Sequence, residues 1–270
     1  MKDKIKKNVN NQIIVSLTSF PARIGTVHIT INSLLKQTFL PDKIILWLAP
    51  EQFHNKEKDL PSDLNLMLKT ENVFLHWLPK NTYVHKRHEI FKYTTDEDCV
   101  FLIDDDVRYA DNLIQTVMET HTKYPDCIVC YNRYSKHQYN GRRIIYGPPV
   151  PENEPKANWN RWCGQSMIPS KLYPKEILDE AHQQIRDNTS HISDECWFQP
   201  WTVYYDIPIY HLNFSWGIDI DPKNGKDTGI VAYSHQKEAN GYEKRDNWMH
   251  AVITSYPEIF EKYKRLFRYG

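Results

Sequence analysis

The stretch Phe101-Leu102-Ile103-Asp104-Asp105-Asp106 passes without a break from apolar residues to three carboxylates. A short apolar run that ends in charge reads as a strand buried on both faces, with its carboxyl end emerging at the edge of a parallel sheet. Open α/β sheets bind their ligands at that edge. In an extended backbone Asp104 and Asp106 point to one face and Asp105 to the other. Two hard oxygen ligands on one face, completed by water and phosphate oxygens, suit Mg²⁺ or Mn²⁺. The competing reading is a solvated turn whose last Asp opens the next loop.

Upstream, the same kind of strand recurs at Ile13–Leu17, Lys43–Leu48 and Val73–Trp77, with the fourth running over Cys99–Ile103. Between them lie helical spacings. Val27, Ile31, Leu34 and Leu35 share a face, and a second helix is expected from Pro61 to Lys69. Val84 to Tyr93 is polar, with only Ile90 and Phe91 expected to be buried, on one side. Strand and helix alternating in this way predict a parallel sheet with both faces covered.

Downstream the rhythm changes. Asp111 is placed to cap a helix running to about Lys123, with Pro125 as its stop. Residues 130–170 read as irregular, including a long loop with Trp159, Trp162 and Gly164, and long loops in compact domains are usually functional. A helix is expected from Pro174 to Arg186, another from Ser193 or Asp194, a strand over Thr202–Leu212, and a helical tail from Asn247 to Tyr269 interrupted by Pro257. The whole reads as one domain over 1–270, with a nucleotide-type half at 12–110 and a more irregular half at 111–270.

Composition narrows the function classes. Lys+Arg and Asp+Glu are equal at 34 each, which argues against a general binder of nucleic acid or anionic membranes. Aromatic residues are 13% of the chain, enough to fill a core and to offer faces that stack on sugars or bases. The basic start carries no apolar segment of signal-peptide type, and no apolar run is long enough to span a bilayer, so a cytoplasmic chain is expected. Five Cys, an odd number, then read as reduced thiols, and the lone pair Cys127 and Cys130 reads as buried small residues rather than a zinc site. No dinucleotide or P-loop glycine fingerprint occurs.

Taken together, the opening Val15-Ser16-Leu17-Thr18-Ser19-Phe20-Pro21-Ala22-Arg23-Ile24, the pair Ser33-Leu34-Leu35-Lys36-Gln37 and Pro41-Asp42-Lys43-Ile44, and the Asp triplet resemble the GT-A glycosyltransferases. The likeness is to bacterial enzymes of surface-polysaccharide assembly in particular. It implies a GT-A α/β fold, a mostly parallel sheet flanked by helices with an acceptor-binding C-terminal half. It also implies transfer of a sugar, with inversion, from a nucleotide-diphosphate sugar such as a UDP-sugar to a hydroxyl of a glycan or lipid-linked acceptor.

The resemblance distributes roles. Thr18, Phe20, Pro21 and Arg23 would hold the nucleotide, joined by Lys86, Asp104 and Asp105. Asp104 and Asp106 would bind Mn²⁺ or Mg²⁺, with His235 as a third ligand from the C-terminal part. Lys86 lies in Tyr83-Val84-His85-Lys86-Arg87-His88, where relatives more often show Tyr-Lys-Lys; its competing reading is a solvated basic helix face. His191-Ile192-Ser193-Asp194-Glu195-Cys196-Trp197-Phe198 resembles the segment that supplies the base, with Asp194 first and Glu195 second. Both acids could instead serve a helix start, Asp194 as the N-cap. The tail from Lys262 to Tyr269 mixes cations and aromatics and could rest on the inner face of a membrane; packing on the domain is the alternative. Two rival functions were weighed. Asp104-x-Asp106-Val107 also fits the magnesium-dependent phosphatases of haloacid-dehalogenase type, and the aromatic content fits a non-enzymatic carbohydrate-binding protein.

Overall fold

In the computed structural model of the chain, residues 11–130, 137–139, 144–146, 155, 165–221 and 241–267 are described. The first strand unit is β1 (Ile13–Thr18) and α1 (Val27–Leu35), followed by β2 (Lys43–Leu48), α2 (Ser62–Met67) and β3 (Val73–Trp77). A tight helix over Tyr83–Lys92 leads to β4 (Cys99–Leu102) and β5 (Val107–Tyr109). Then come α3 (Leu113–Lys123), β6 (Ile128–Cys130), β7 (His137–Tyr139), β8 (Ile144–Tyr146) and β9 (Ser166–Pro169). The remainder is α4 (Glu180–Thr189), α5 (Asp194–Tyr204), β10 (Ile209–His211), β11 (Gly217–Asp219), α6 (Gly241–Ser255) and α7 (Pro257–Leu266).

The described strands form a seven-stranded sheet in the order β10-β6-β9-β4-β1-β2-β3. Neighbours pair in parallel except around β9, which runs antiparallel to both β4 and β6. The α/β class with a mostly parallel sheet is therefore as expected. Alternate residues feed two cores. Ile13, Val15 and Leu17 pack with Val27, Ile31 and Leu34 of α1 and with Leu113, Ile114 and Val117 of α3. Ile14, Val100 and Leu102 pack on the other face with Trp197, Phe198 and Trp201 of α5 and with Val252 and Ile259 of α6 and α7.

Strand order places the site. From β1 the chain moves out to β2 and β3 on one side and returns to β4 on the other, so the connections leaving β1 and β4 diverge. The crevice at that divergence is where doubly wound sheets take their ligand. Phe20 to Arg23 follow β1 there, and Asp104 to Asp106 follow β4.

Several local expectations are corrected. Helix α3 starts at Asn112, with no side-chain cap bond, and Asp111 instead accepts the Thr38 N–H on its main-chain oxygen at 2.8 Å. The single helix expected from Pro174 is broken: a short turn covers Lys175–Leu178, and Asp179 then caps α4 through the His182 N–H. The strand expected over Thr202–Leu212 is shortened to Ile209–His211 because α5, with Pro200 inside it, runs on to Tyr204. Ser193, not Asp194, is the N-cap of α5, accepting the Cys196 N–H. The surplus of aromatics is largely core: Trp197, Trp201, Trp216, Tyr109, Tyr173 and Tyr263 are buried. Phe91, Tyr173 and Phe198 form a stack with centroids 3.7 and 5.1 Å apart.

The tail follows the packing alternative. Tyr263 is buried and Phe267 packs on the same core, while Lys262 donates to the Tyr204 carbonyl at 2.7 Å and pairs with Asp206. Tyr269 lies outside the described residues. No helix among the described residues is long and apolar enough to cross a membrane.

Strands β5 and β11 pair antiparallel beside the site, with Asp219 opposite Val107 and Gly217 opposite Tyr109. Gly217 permits this approach: a Cβ there would stand 2.3 Å from the Arg108 carbonyl oxygen and 2.7 Å from Val107 Cγ1. Gly217→Ala must push the two strands apart and is expected to lower stability by about 1–3 kcal/mol, the usual cost of overpacking, read as a fall in denaturant midpoint at unchanged slope.

Candidate active site

The Asp triplet lies just beyond β4, in a turn rather than in extended backbone, and this changes how its side chains are directed. Asp105 and Asp106 converge on one cation: Arg23 Nη1 meets Asp105 Oδ1 at 3.0 Å and Nη2 meets Asp106 Oδ2 at 2.9 Å. Asp104 turns elsewhere, to Arg87 Nη1 at 2.8 Å and Gln165 Nε2 at 2.7 Å. The expected alternation, with Asp104 and Asp106 on one face and Asp105 on the other, is therefore replaced by an Arg23-held pair and a separate, more open Asp104. The Asp104 side chain is 38% exposed against 6% for Asp105, which makes it the member of the triplet most accessible to a ligand.

Arg23 reaches the pair because the chain turns sharply after β1. Its own N–H and that of Ile24 both donate to the Phe20 carbonyl, at 2.9 and 3.0 Å, and its guanidinium lies 5.5 Å from the Phe20 ring centroid. Pro21 is exposed on the outside of this turn. Thr18 ties the strand ends together by donating to the Trp47 carbonyl at 2.8 Å.

The helix over Tyr83–Lys92 contradicts the solvated-face reading, since every residue from His85 to Phe91 is buried. Ser16 anchors it to β1 by donating to the Arg87 carbonyl at 2.7 Å. Lys86 is 1% exposed, and its ammonium donates to Gln52 Oε1 at 3.0 Å and Asn81 Oδ1 at 2.8 Å. Burial brings the Lys86 pKa down to about 8, with Asp105 and Glu51 opposing the fall. A buried ammonium held by two neutral amide oxygens retains its attraction for an anion.

Arg87 is the junction. Its Nε and Nη2 meet Asp194 Oδ2 at 2.8 and 2.5 Å, and its Nη1 serves both the Ile103 carbonyl and Asp104 Oδ1 at 2.8 Å. His88 Nε2 contacts the same Asp194 oxygen at 3.1 Å; since a carboxylate only accepts, the ring donates there and its Nδ1 accepts from Tyr173 at 3.1 Å. Burial raises the proton affinity of Asp194, but Arg87 and then His88 outweigh it and hold the carboxyl well below the ordinary range. Glu195, beside it, pairs with Arg245 of α6. Both sequence-nominated bases are thus engaged by cations, and Asp194 is joined to Asp104 through one guanidinium.

Asp104, Asp106 and Asp219 carry the hard oxygen donors that a divalent cation takes. Burial, then the neighbouring Asp104 charge, pushes the Asp106 carboxyl up to about 7 even with Arg23 beside it. A dication would relieve that cost. Asp219, brought alongside by the β5–β11 pairing, also has its carboxyl raised, first by burial and then by Asp104. Sequence reasoning missed Asp219, and also the Tyr109 hydroxyl that accepts the Asp104 N–H at 2.9 Å. The only signal for Asp219 was a Gly-x-Asp strand far along the chain, whereas Tyr109 follows the triplet by three residues. Among the described residues no group of three acids, His or Cys is already arranged to hold a metal. His235, with Trp159, Trp162, Cys163 and Gly164, lies outside the described residues.

Comparison with known proteins gives structural likeness only. No protein-family model matches the chain, and no curated protein matches it. Among solved structures it is similar to S. aureus TarS 1–349, with a TM-score of 0.47 and 14% identity over 76% of this chain and 59% of that one. The same TarS segment in complex with UDP gives a TM-score of 0.43 at 14% identity. A longer S. aureus TarS gives 0.44 at 12% identity, with this chain covering 36% of it. The chain therefore spans little more than half of the TarS segment it resembles.

Two outcomes follow from the buried network. Arg87→Ala leaves Asp194 buried with only the His88 N–H and should cost about 3–5 kcal/mol; Arg87→Lys, which lacks the planar fork, should recover only part of it in chemical denaturation. His85 is the second test. Burial, with the Arg186 charge, lowers its pKa to about 3, and its Nε2 donates to the Ser190 carbonyl at 2.8 Å. The unfolded chain binds that proton below its ordinary value and the folded chain does not, so stability falls as pH drops from the ordinary histidine range toward 3. The expected slope is about 1.4 kcal/mol per pH unit for one excluded proton, and His85→Gln should flatten stability measured between roughly pH 6 and 4.

Proposed function

We propose that this chain is a metal-dependent glycosyltransferase of GT-A type, moving a sugar from a nucleotide-diphosphate sugar to a hydroxyl acceptor in surface-polysaccharide assembly. By the sequence resemblance the donor is a UDP-sugar and the acceptor a glycan or lipid-linked saccharide, reached from the cytoplasm at the inner face of the membrane. One observation carries the reading. At the crevice between the ends of β1 and β4, a partly open acid cluster lies within electrostatic reach of Lys86, a buried cation that among the described residues donates to amide oxygens rather than to a carboxylate. Acids for a dication next to a cation for phosphate is the complement of a metal-bound diphosphate.

In this reading Asp104 and Asp106 would hold Mn²⁺ or Mg²⁺, with His235 as the third ligand, and the ion would supply charge stabilisation for the leaving diphosphate. Lys86 binds the same developing charge. Arg23 fixes Asp105 and Asp106, and the turn Phe20-Pro21 with Thr18 shapes the nucleotide side. Asp194 is the proposed base, with Glu195 second. With Arg87 in place Asp194 is a poor proton acceptor, so base duty requires that the guanidinium give up part of its hold. An anion bound beside Asp104 competes for that same guanidinium and returns basicity to Asp194. The haloacid-dehalogenase and carbohydrate-binding alternatives gain no support: β4 follows three strand units, and many described aromatics are interior.

The test is release of nucleotide diphosphate from a panel of nucleotide sugars by wild type, Asp106→Ala and Asp194→Asn. Both variants should lose transfer by at least about a hundredfold, the usual range for a lost acid–base or electrostatic group, and only Asp106→Ala should also lose Mn²⁺-dependent nucleotide binding. Wild-type turnover in Asp194→Asn removes the base assignment, and unchanged Mn²⁺-dependent binding in Asp106→Ala removes the metal assignment.

A further inference from the structure

Tyr83 begins the buried helix with φ of 52°, in the left-handed region. A bulky residue in that region is strained and persists only where its surroundings hold it. Asn81 supplies the hold: its Oδ1 accepts the Tyr83 N–H at 3.0 Å and the Lys86 ammonium at 2.8 Å. The strain therefore belongs to the same small assembly that sets Lys86.

The Tyr83 ring is left 47% exposed, while Phe91 of the same helix is buried. The Tyr83 ring meets His191 edge-on, with centroids 5.6 Å apart and planes at 69°. His191 in turn meets Trp248 at 6.3 Å and 67°. His191 is exposed and Trp248 half-buried. Three rings from three separate segments thus form one surface row. Each sits three residues from a site residue already described: Tyr83 from Lys86, His191 from Asp194, and Trp248 from Arg245, the partner of Glu195. The row is therefore contributed by the same chain segments that carry Lys86, Asp194 and Arg245.

We propose that Tyr83, His191 and Trp248 form an acceptor subsite that stacks a pyranose ring, and that the acceptor is accordingly a saccharide. Sugar C–H faces pack on aromatic rings, and hydroxyls need polar neighbours at the rim. The same three segments carry the ion pairs Lys80–Asp187 and Arg245–Glu195. A row of single rings interrupted by charge offers an apolar protein surface little to bury, and offers a sugar both of its requirements. The naming of the bound sugar as acceptor rests on the glycosyl-transfer reading, whereas the subsite itself rests on the ring row.

The test is saturation-transfer NMR with the methyl glycosides of glucose, galactose and N-acetylglucosamine, on wild type, Tyr83→Phe, Tyr83→Gly and Trp248→Ala. Tyr83→Gly removes the ring at a position whose backbone favours glycine, so the fold is kept, as its melting temperature will report. At least one glycoside should receive saturation from wild type and Tyr83→Phe, and its affinity should fall about tenfold in Tyr83→Gly and Trp248→Ala, the scale of one lost stacking contact. No glycoside bound by wild type, or unchanged binding in a folded Tyr83→Gly, overturns the proposal. The wild-type thermal response to UDP, GDP, CDP and ADP with Mn²⁺ is read in parallel. Its absence beside ring-dependent glycoside binding would remove the transferase reading and leave the saccharide subsite standing.

Discussion

Arg87 lies with 3% of its side chain exposed between two carboxylates contributed by distant parts of the chain, Asp104 after β4 and Asp194 at the start of α5. Burial works against its charge, and the two acids more than offset this, holding its proton above the ordinary arginine range. The planar fork is what permits the arrangement, because three nitrogens serve Asp194, Asp104 and the Ile103 carbonyl at once. Through this one group the sheet's carboxyl edge, the buried helix over Tyr83–Lys92 and helix α5 are fixed relative to one another. Removing Arg87 leaves the buried Asp194 charge with only the His88 N–H to answer it.

The same junction links the two chemical tasks. Asp104 is the most open acid of the triplet, and Asp194 is the acid that α5 sends toward it. Charge brought to one is felt by the other through a shared guanidinium. The formal balance of 34 basic and 34 acidic residues conceals this local pairing, in which Arg23 answers Asp105 and Asp106 while Lys86 is answered by amide oxygens alone. Lys86 is thus the cation of the crevice least neutralised by direct contact.

The sheet was legible in the sequence because the first four strands are apolar runs with no competing reading, and their order follows from crossover spacing. The triplet's place at the edge was legible for the same reason. What failed has one physical cause in several forms: polar residues that satisfy one another inside the protein look, in sequence, like residues that face water. The His85–Phe91 segment reads as a solvated helix, yet it is interior because Arg87, His88 and Lys86 find partners from α5, Tyr173, Gln52 and Asn81. Asp194 reads as an N-cap, but Ser193 takes that duty and frees Asp194 for Arg87. Thr202 to Leu212 carries a strand's composition, but its first residues finish α5, where Tyr204 packs edge-on against Trp201. Asp219 depends on a pairing between β5 and β11 that no local pattern announces.

The central claim is that the crevice between β1 and β4 is built for a metal-bound nucleotide diphosphate. The most direct measurement is the melting temperature of the wild-type chain with UDP, GDP, CDP and ADP, each with and without Mn²⁺. A ligand that binds only the folded state raises the melting temperature with concentration. The account predicts such a rise for at least one diphosphate, larger with Mn²⁺ than without. No response to any of them, or a response that Mn²⁺ leaves unchanged, would contradict it.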